Sequence, residues 1–277
     1  MPEGPSWCTT VGAGAGSWRR STRPPEGPVE THDRWAAGAP ARLPLQSASA
    51  PPAPPHEDPT TDTRFADLTL HDFAERLASR DPVPGGGSAS ALVASLAAGL
   101  VSMVAELSIG RAAAPDAEPL LERAHDAATQ LRTDLLTLAD ADAAAFGSVL
   151  AARRLPRGNE TERSVRSETV GAATLEAARV PLRVAELAAQ VLELAAQIAP
   201  IGNPNAVSDA GVASLLAAAG ARGALLNVRI NLPGLPAEGR FSAEGRSIRA
   251  AADLLESNLE AAERRAIAEV NRRIGPS

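Results

Sequence analysis

From Phe65 to Ile274 apolar residues return every three or four positions, and nowhere in that stretch do they alternate strictly. A chain patterned in this way has one stripe to bury per segment, and it can do so only by packing helices against helices. The spacing predicts a first helix opening at Thr69. Its hydroxyl can cap the chain with Asp72 three residues on, and it would bury Phe73 and Leu77 before Asp81-Pro82 ends it. A glycine turn, Pro84-Gly85-Gly86-Gly87-Ser88, leads into a small-residue helix over 89–108. Further helices are expected over 115–154, from the Asn159/Glu162 capping pair to 199 (where Pro181 should kink or divide it), over 208–232, and over 242–274. The last carries Ile248, Leu255, Leu259, Ala266 and Val270 on one stripe. Six or seven helices make an all-α bundle of residues 63–277, with no repeat at a solenoid period.

Residues 1–62 break the pattern. They hold about half of the 23 prolines and all three tryptophans, Trp7, Trp18 and Trp35. The run Pro51-Pro52-Ala53-Pro54-Pro55 favours neither helix nor central strand. This segment is expected to be a disordered tail, without which domain stability and turnover should be unchanged; a docking arm that uses the tryptophans is the alternative. Arg19-Arg20 is followed by Ser21-Thr22-Arg23-Pro24-Pro25 where a leader would need an apolar run. The uncharged stretch 89–105 is short for a bilayer span and reads as a buried helix.

Several function classes drop out on composition. The net charge is −6, every basic side chain is arginine, and aromatic residues make up 3%. No nucleic-acid partner is expected from a dispersed negative charge, and no membrane partner either. Cys8 is the only cysteine, which excludes a disulfide framework and points to a cytoplasmic location. His32, His56, His71 and His125 lack metal-ligand spacing, so neither a metal nor a cofactor is expected.

Three segments carry the chemistry. On a helical wheel Leu120, Ala124, Leu131, Leu135, Leu138, Phe146 and Val149 share a side with Asp142 at its centre, while Asp140 points toward solvent. A carboxyl among leucine and phenylalanine has its pKa pushed up, as a general acid/base requires. The same Asp could equally be satisfied by an arginine or a helix N-terminus. Gly85, Gly86 and Gly87 allow a ligand close to the backbone, with Ser88 as the cap, although a tight loop needs no more. In Gly202-Asn203-Pro204-Asn205-Ala206-Val207-Ser208-Asp209, Ser208 can cap the next helix and Asp209 suits its positive end. Asn227 and Asn231, one turn apart on a face shared with Gly220 and Gly223, suggest either a ligand or interhelical hydrogen bonds.

Taken in order, PVPGGGSASALVASLAAGLVSMVAELSIGR, LADADAAAF with ARRLPR, GNPNAVSDAGVA and NVRINLP resemble the cyclodeaminase/cyclohydrolase family over about residues 65–275. That family includes the C-terminal domain of formiminotransferase-cyclodeaminase and stand-alone methenyltetrahydrofolate cyclohydrolases. The resemblance implies an all-helical homodimer, a tetrahydrofolate derivative as substrate, and chemistry at its formyl-level carbon. It makes Asp142 the catalytic residue and Gly85, Gly86, Gly87, Ser88, Asn203, Ser208, Asp209, Asn227 and Asn231 pocket residues. Arg111 and Arg157 are candidates for the anionic glutamate end of folate. Two positions depart from the family: Arg157 stands where lysine is frequent, and Ala144 where an acidic residue is common. They keep open a second reading, a helical dimerisation or folate-binding module without chemistry. Residues 1–62 are not expected to supply a formiminotransferase half, which mildly favours a stand-alone 5,10-methenyltetrahydrofolate cyclohydrolase over a 5-formiminotetrahydrofolate cyclodeaminase. The helix of 89–108 and the small face at Gly220 and Gly223 are expected to meet a twin.

Overall fold

The structure, a computed structural model, describes residues 64–111 and 115–275; the segment 1–62, with Cys8 and the tryptophans, lies outside them. Six α-helices follow one another: α1 (Leu70–Leu77), α2 (Gly86–Glu106), α3 (Glu118–Arg153), α4 (Glu160–Ile198), α5 (Val207–Asn231) and α6 (Arg240–Ile274). Four single 3₁₀ turns link or precede them, and no strand occurs among the described residues.

Two of the predicted starts form as expected. The Thr69 hydroxyl accepts from the Asp72 N–H at 3.0 Å, and the Asn159 amide oxygen accepts from the Glu162 N–H at 2.9 Å. Two do not. Helix α2 begins at Gly86, so Ser88 lies inside its first turn, and α5 begins at Val207, so Ser208 lies past its cap. In α1 only Phe73 is buried, edge-on to Phe65 at 5.7 Å, while Leu77 is 41% exposed. Helix α4 continues unbroken through Pro181.

Helix α2 is the axis of the bundle and packs against α3, α4 and α5. Ala91, Ala94, Ala97, Ala98, Val101 and Ala105 are wholly buried along it. Small side chains let backbones approach closely, which is how so few aromatics suffice for a core. A Cβ on Gly220 of α5 would stand 2.9 Å from the Ser90 carbonyl, and one on Gly223 would collide with the Ser90 hydroxyl at 2.4 Å. The Gly220/Gly223 face is therefore taken up by α2 of the same chain rather than left for a second copy. By length and composition alone α2, α3 and the segment around α5 could each span a bilayer, yet most of the apolar windows of α2 and α5 are buried in the bundle.

The stripe of α3 is set one residue away from the wheel at its start. Leu121 is buried rather than Leu120, followed by Ala124, Ala128, Leu131, Leu135, Ala139, Ala145 and Val149. Phe146 stays 38% exposed. Asp140 is not a solvent residue either: its Oδ1 accepts the Phe65 N–H at 2.7 Å and holds the chain ahead of α1 onto α3.

Candidate active site

Helices α2 and α5 run antiparallel, which brings the start of α2 to the end of α5. There Gly86 lies beside the Asn227 amide, with a Cβ placed at 86 coming within 3.5 Å of Nδ2. The second half of α3 closes the third side. A cleft of about 350 Å³ opens between them, within the range of small-molecule sites, lined by Gly85, Gly86, Gly87, Asp142, Asn227 and Asn231. Pro82, Val83, Phe146, Val149, Arg153, Ala177 and Ile230 complete its wall.

Asp142 sits on the floor, half-buried, with its carboxyl laid directly on the first turn of α2. Only glycine permits this approach. A Cβ at position 87 would fall 2.2 Å from Oδ1 and 2.4 Å from Cγ of Asp142. Ser88 is completely buried, and its hydroxyl reaches both the Ala139 carbonyl, at 3.0 Å, and Asp142 Oδ2, at 3.1 Å. Removal from water pushes the Asp142 pKa up; the Ser88 hydroxyl and then the Ser88 backbone N–H draw it back, and burial outweighs both.

A hydroxyl has one proton to give and lone pairs to spare. With Asp142 ionised, Ser88 can donate to the carboxylate. With Asp142 protonated, the carboxyl can donate to Ser88 Oγ while Ser88 turns its own proton to Ala139. The serine can thus follow the proton on and off the carboxyl without leaving a buried group unpaired. Read as a helix cap from sequence, it is instead the hydrogen-bond partner of the central acid.

The two asparagines are employed differently. Asn227 Nδ2 donates to the Gly223 carbonyl at 2.9 Å, within its own helix. Asn231 Nδ2 donates to the Ala177 carbonyl of α4, at 2.8 Å, and to the Asn227 carbonyl, at 2.9 Å. Interhelical bonding and a place in the cleft, which the sequence left as alternatives, coincide at Asn231.

The remaining predicted residues lie elsewhere within one copy of the chain. Asn203, Ser208, Asp209 and Arg111 gather at the far end of α2, roughly 30 Å from Gly87 by helical rise. Asn203 is occupied there: its N–H donates to Ser108 Oγ at 2.7 Å, its Nδ2 to the Leu107 carbonyl at 3.3 Å, and its Oδ1 accepts from Asn205. Ser208 and Arg111 are exposed, and Asp209 is half-buried in the first turn of α5. Arg157 is exposed in the α3–α4 link and does not line the cleft. Arg153 does, and the sequence reading passed over it. It stands three turns beyond Asp142 on the same side of α3, a spacing of eleven residues that could have found it. Among the described residues, no group of three or more His, Cys, Asp or Glu could hold a metal ion.

Fold and site together define an all-helical protein with a half-buried carboxyl seated on a glycine helix start and facing an open cleft. A model of the formiminotransferase-cyclodeaminase family matches residues 69–247. The chain belongs to that family. It is 39% identical over 167 residues to the methenyltetrahydrofolate cyclohydrolase of Methylorubrum extorquens, covering 60% of this chain and 80% of that protein. To the rat formimidoyltransferase-cyclodeaminase it is 34% identical over 166 residues, 60% of this chain but 31% of that longer protein. In three dimensions it matches the crystal structure of a formiminotetrahydrofolate cyclodeaminase from Thermotoga maritima with a TM-score of 0.67 at 27% identity. That match covers 76% of this chain and 99% of the other.

Proposed function

We propose that this enzyme of folate one-carbon metabolism acts at the formyl-level carbon of tetrahydrofolate as a 5,10-methenyltetrahydrofolate cyclohydrolase. The 5-formiminotetrahydrofolate cyclodeaminase reaction is the second reading. The observation that carries the chemistry is the Asp142 carboxyl, desolvated on Gly87 and able to exchange a proton beside Ser88. The greater identity to the cyclohydrolase, over four fifths of its length, favours that direction. The structural match to a cyclodeaminase keeps the other in view.

In the hydrolase direction water adds to the cationic methenyl carbon while the Asp142 carboxylate takes one of its protons, giving a neutral bridged adduct. As the C–N5 bond breaks, the carboxyl returns that proton to N5. The adduct hydroxyl loses its own to solvent, leaving the formyl group on N10. In the deaminase direction N10 attacks the protonated formimino carbon, and Asp142 carries the N10 proton to the amino nitrogen, which leaves as ammonia. One group serves both routes, and a positioned acid/base is worth about 10²–10⁴-fold in rate. A raised pKa brings the carboxyl nearer the pH at which it must both take and give. Arg153 at the rim supplies a cation for the anionic glutamyl end of folate, with Arg157 further along the chain.

We further propose a cytoplasmic homodimer that needs no cofactor besides its folate substrate. The pairing of two copies is supported by the uncovered apolar row of α5, where Val212, Leu215, Leu226 and Ile230 are exposed by 46 to 76%, and by exposed Leu96 and Met103 on α2.

The test follows the ultraviolet loss of the methenyl chromophore with wild type and Asp142→Asn, alongside ammonia release from the formimino compound. A fall of at least a hundredfold in the variant is expected. Wild-type turnover untouched by the substitution would remove Asp142 from the mechanism. A large preference for the formimino substrate would reverse the order of the two reactions.

A further inference from the structure

Pro181 is wholly buried in the middle of α4. A proline has no N–H to give the carbonyl four residues back, which here belongs to Ala177 on the wall of the cleft. An unpaired carbonyl on a buried residue is costly, and helices rarely leave one. This one is taken by a side chain from another helix: Asn231 Nδ2 donates to it at 2.8 Å. The second hydrogen of the same amide goes to the Asn227 carbonyl at 2.9 Å. Both partners are acceptors, so a reversed amide would set oxygen against oxygen twice, and its orientation is determined.

The amide of Asn231 therefore has no donor left, and its Oδ1 is the one polar atom of that side chain still free. Asn227, one turn earlier, keeps a free N–H and a free Oδ1 after its single bond to Gly223. We propose that Pro181 is a positioning residue. The donor missing from α4 locks Asn231 as an acceptor-only group in the cleft, where it reads a ring N–H of the substrate while Asn227 serves the neighbouring polar atom. A reduced pterin edge, with N–H donors beside a carbonyl, is the matching chemistry. This identity of the ligand rests on the folate reading above, whereas the link from Pro181 to Asn231 rests on geometry alone.

The experiment is a double-mutant cycle on the full chain with Pro181→Ala, Asn231→Ala and the pair. Alanine at 181 restores the N–H and removes the ring that holds the helix open, so a main-chain bond to the Ala177 carbonyl competes with the Asn231 amide and frees it to turn. Pro181→Ala should fold, since alanine is the better helix former and offsets the loss of the buried ring. Its KM for 5,10-methenyltetrahydrofolate should nevertheless rise about tenfold, the worth of one hydrogen bond, with kcat within about twofold. Asn231→Ala should raise KM alike, and the double variant should be no worse than either single. Additive effects on KM, or a wild-type KM in Pro181→Ala, would overturn the proposal. A second readout needs no substrate: the Asn231 side-chain amide protons should be protected from exchange in wild type and lose that protection in Pro181→Ala. Unprotected wild-type protons would equally refute it. If neither folate compound is turned over, the folate reading fails, and the exchange measurement alone decides the link.

Discussion

Gly87→Ala asks whether the glycines serve the carboxyl or merely the turn. The added Cβ would lie 2.2 Å from Asp142 Oδ1, 2.4 Å from Cγ and 2.5 Å from Oδ2, against an ordinary contact of 3.4 Å or more. Because Cγ is overlapped as well as the oxygens, rotating the carboxyl about its own bond gives no relief. The whole group must retreat by about 1 Å, and its 3.1 Å bond to Ser88 goes with it. Misplacing a reacting group by about 1 Å can cost on the order of 10² in rate. Stability should change little, since alanine is the better helix former by up to about 1 kcal/mol and offsets part of the displacement. Gly147 on α3 is the control, because a Cβ there meets nothing within 4 Å. Gly147→Ala should stabilise by about 1 kcal/mol and leave turnover alone. Methenyl loss in the ultraviolet and thermal melts on the same samples give both readouts. Gly87→Ala with kcat/KM within threefold of wild type would refute the reasoning, since the close approach would then be incidental.

Two more outcomes are expected. The folded Asp142 holds its proton more tightly than the unfolded chain does. Between the ordinary value of 3.8 and its raised folded value the native state thus binds more protons, and wild-type stability falls as pH rises through that window. Asp142→Asn removes this dependence, so its melting temperature should gain on wild type between pH 4 and pH 7; an unchanged gap would show that the carboxyl is not desolvated. For the dimer, Leu215→Asp with Leu226→Asp on the exposed row of α5 should give a monomer by light scattering, with a melting temperature below that of wild type. Wild type running as a monomer at micromolar concentration would dispose of the proposed interface.

How far the sequence carries can be read from its serines and asparagines. Local rules located what depends on neighbours in the chain: Thr69 and Asn159 cap because their partners lie three residues on, and Asp142 stands out because a wheel needs only one helix. Ser88 and Ser208 were misplaced because a capping residue and a first-turn residue differ by one to three positions. At Ser88 the decision came from across the bundle, where Ala139 and Asp142 claimed the hydroxyl. The phase of α3 slipped for a similar reason, since Leu120 and Leu121 are equally apolar and only the packing of α2 against α3 chooses between them.

The placement of the asparagines turns on helix direction. Helix α5 has 25 residues, so Asp209 and Asn231 stand about 33 Å apart along it and cannot share one small cleft within a single chain. Because α2 and α5 are antiparallel, Gly85–Ser88 must join the pair at the end of α5, leaving Asn203 to the end of α2. There the Ser108 hydroxyl donates to the Val104 carbonyl at 2.6 Å and accepts from Asn203, while Arg273 of α6 donates to the Ala199 and Gly202 carbonyls. Those bonds tie α2, α4 and α6 around the start of α5. The bundle is thus pinned at one end by side chains bonded to backbone groups. Its other end keeps a glycine helix start on which Asp142 rests and a proline-vacated carbonyl that Asn231 takes.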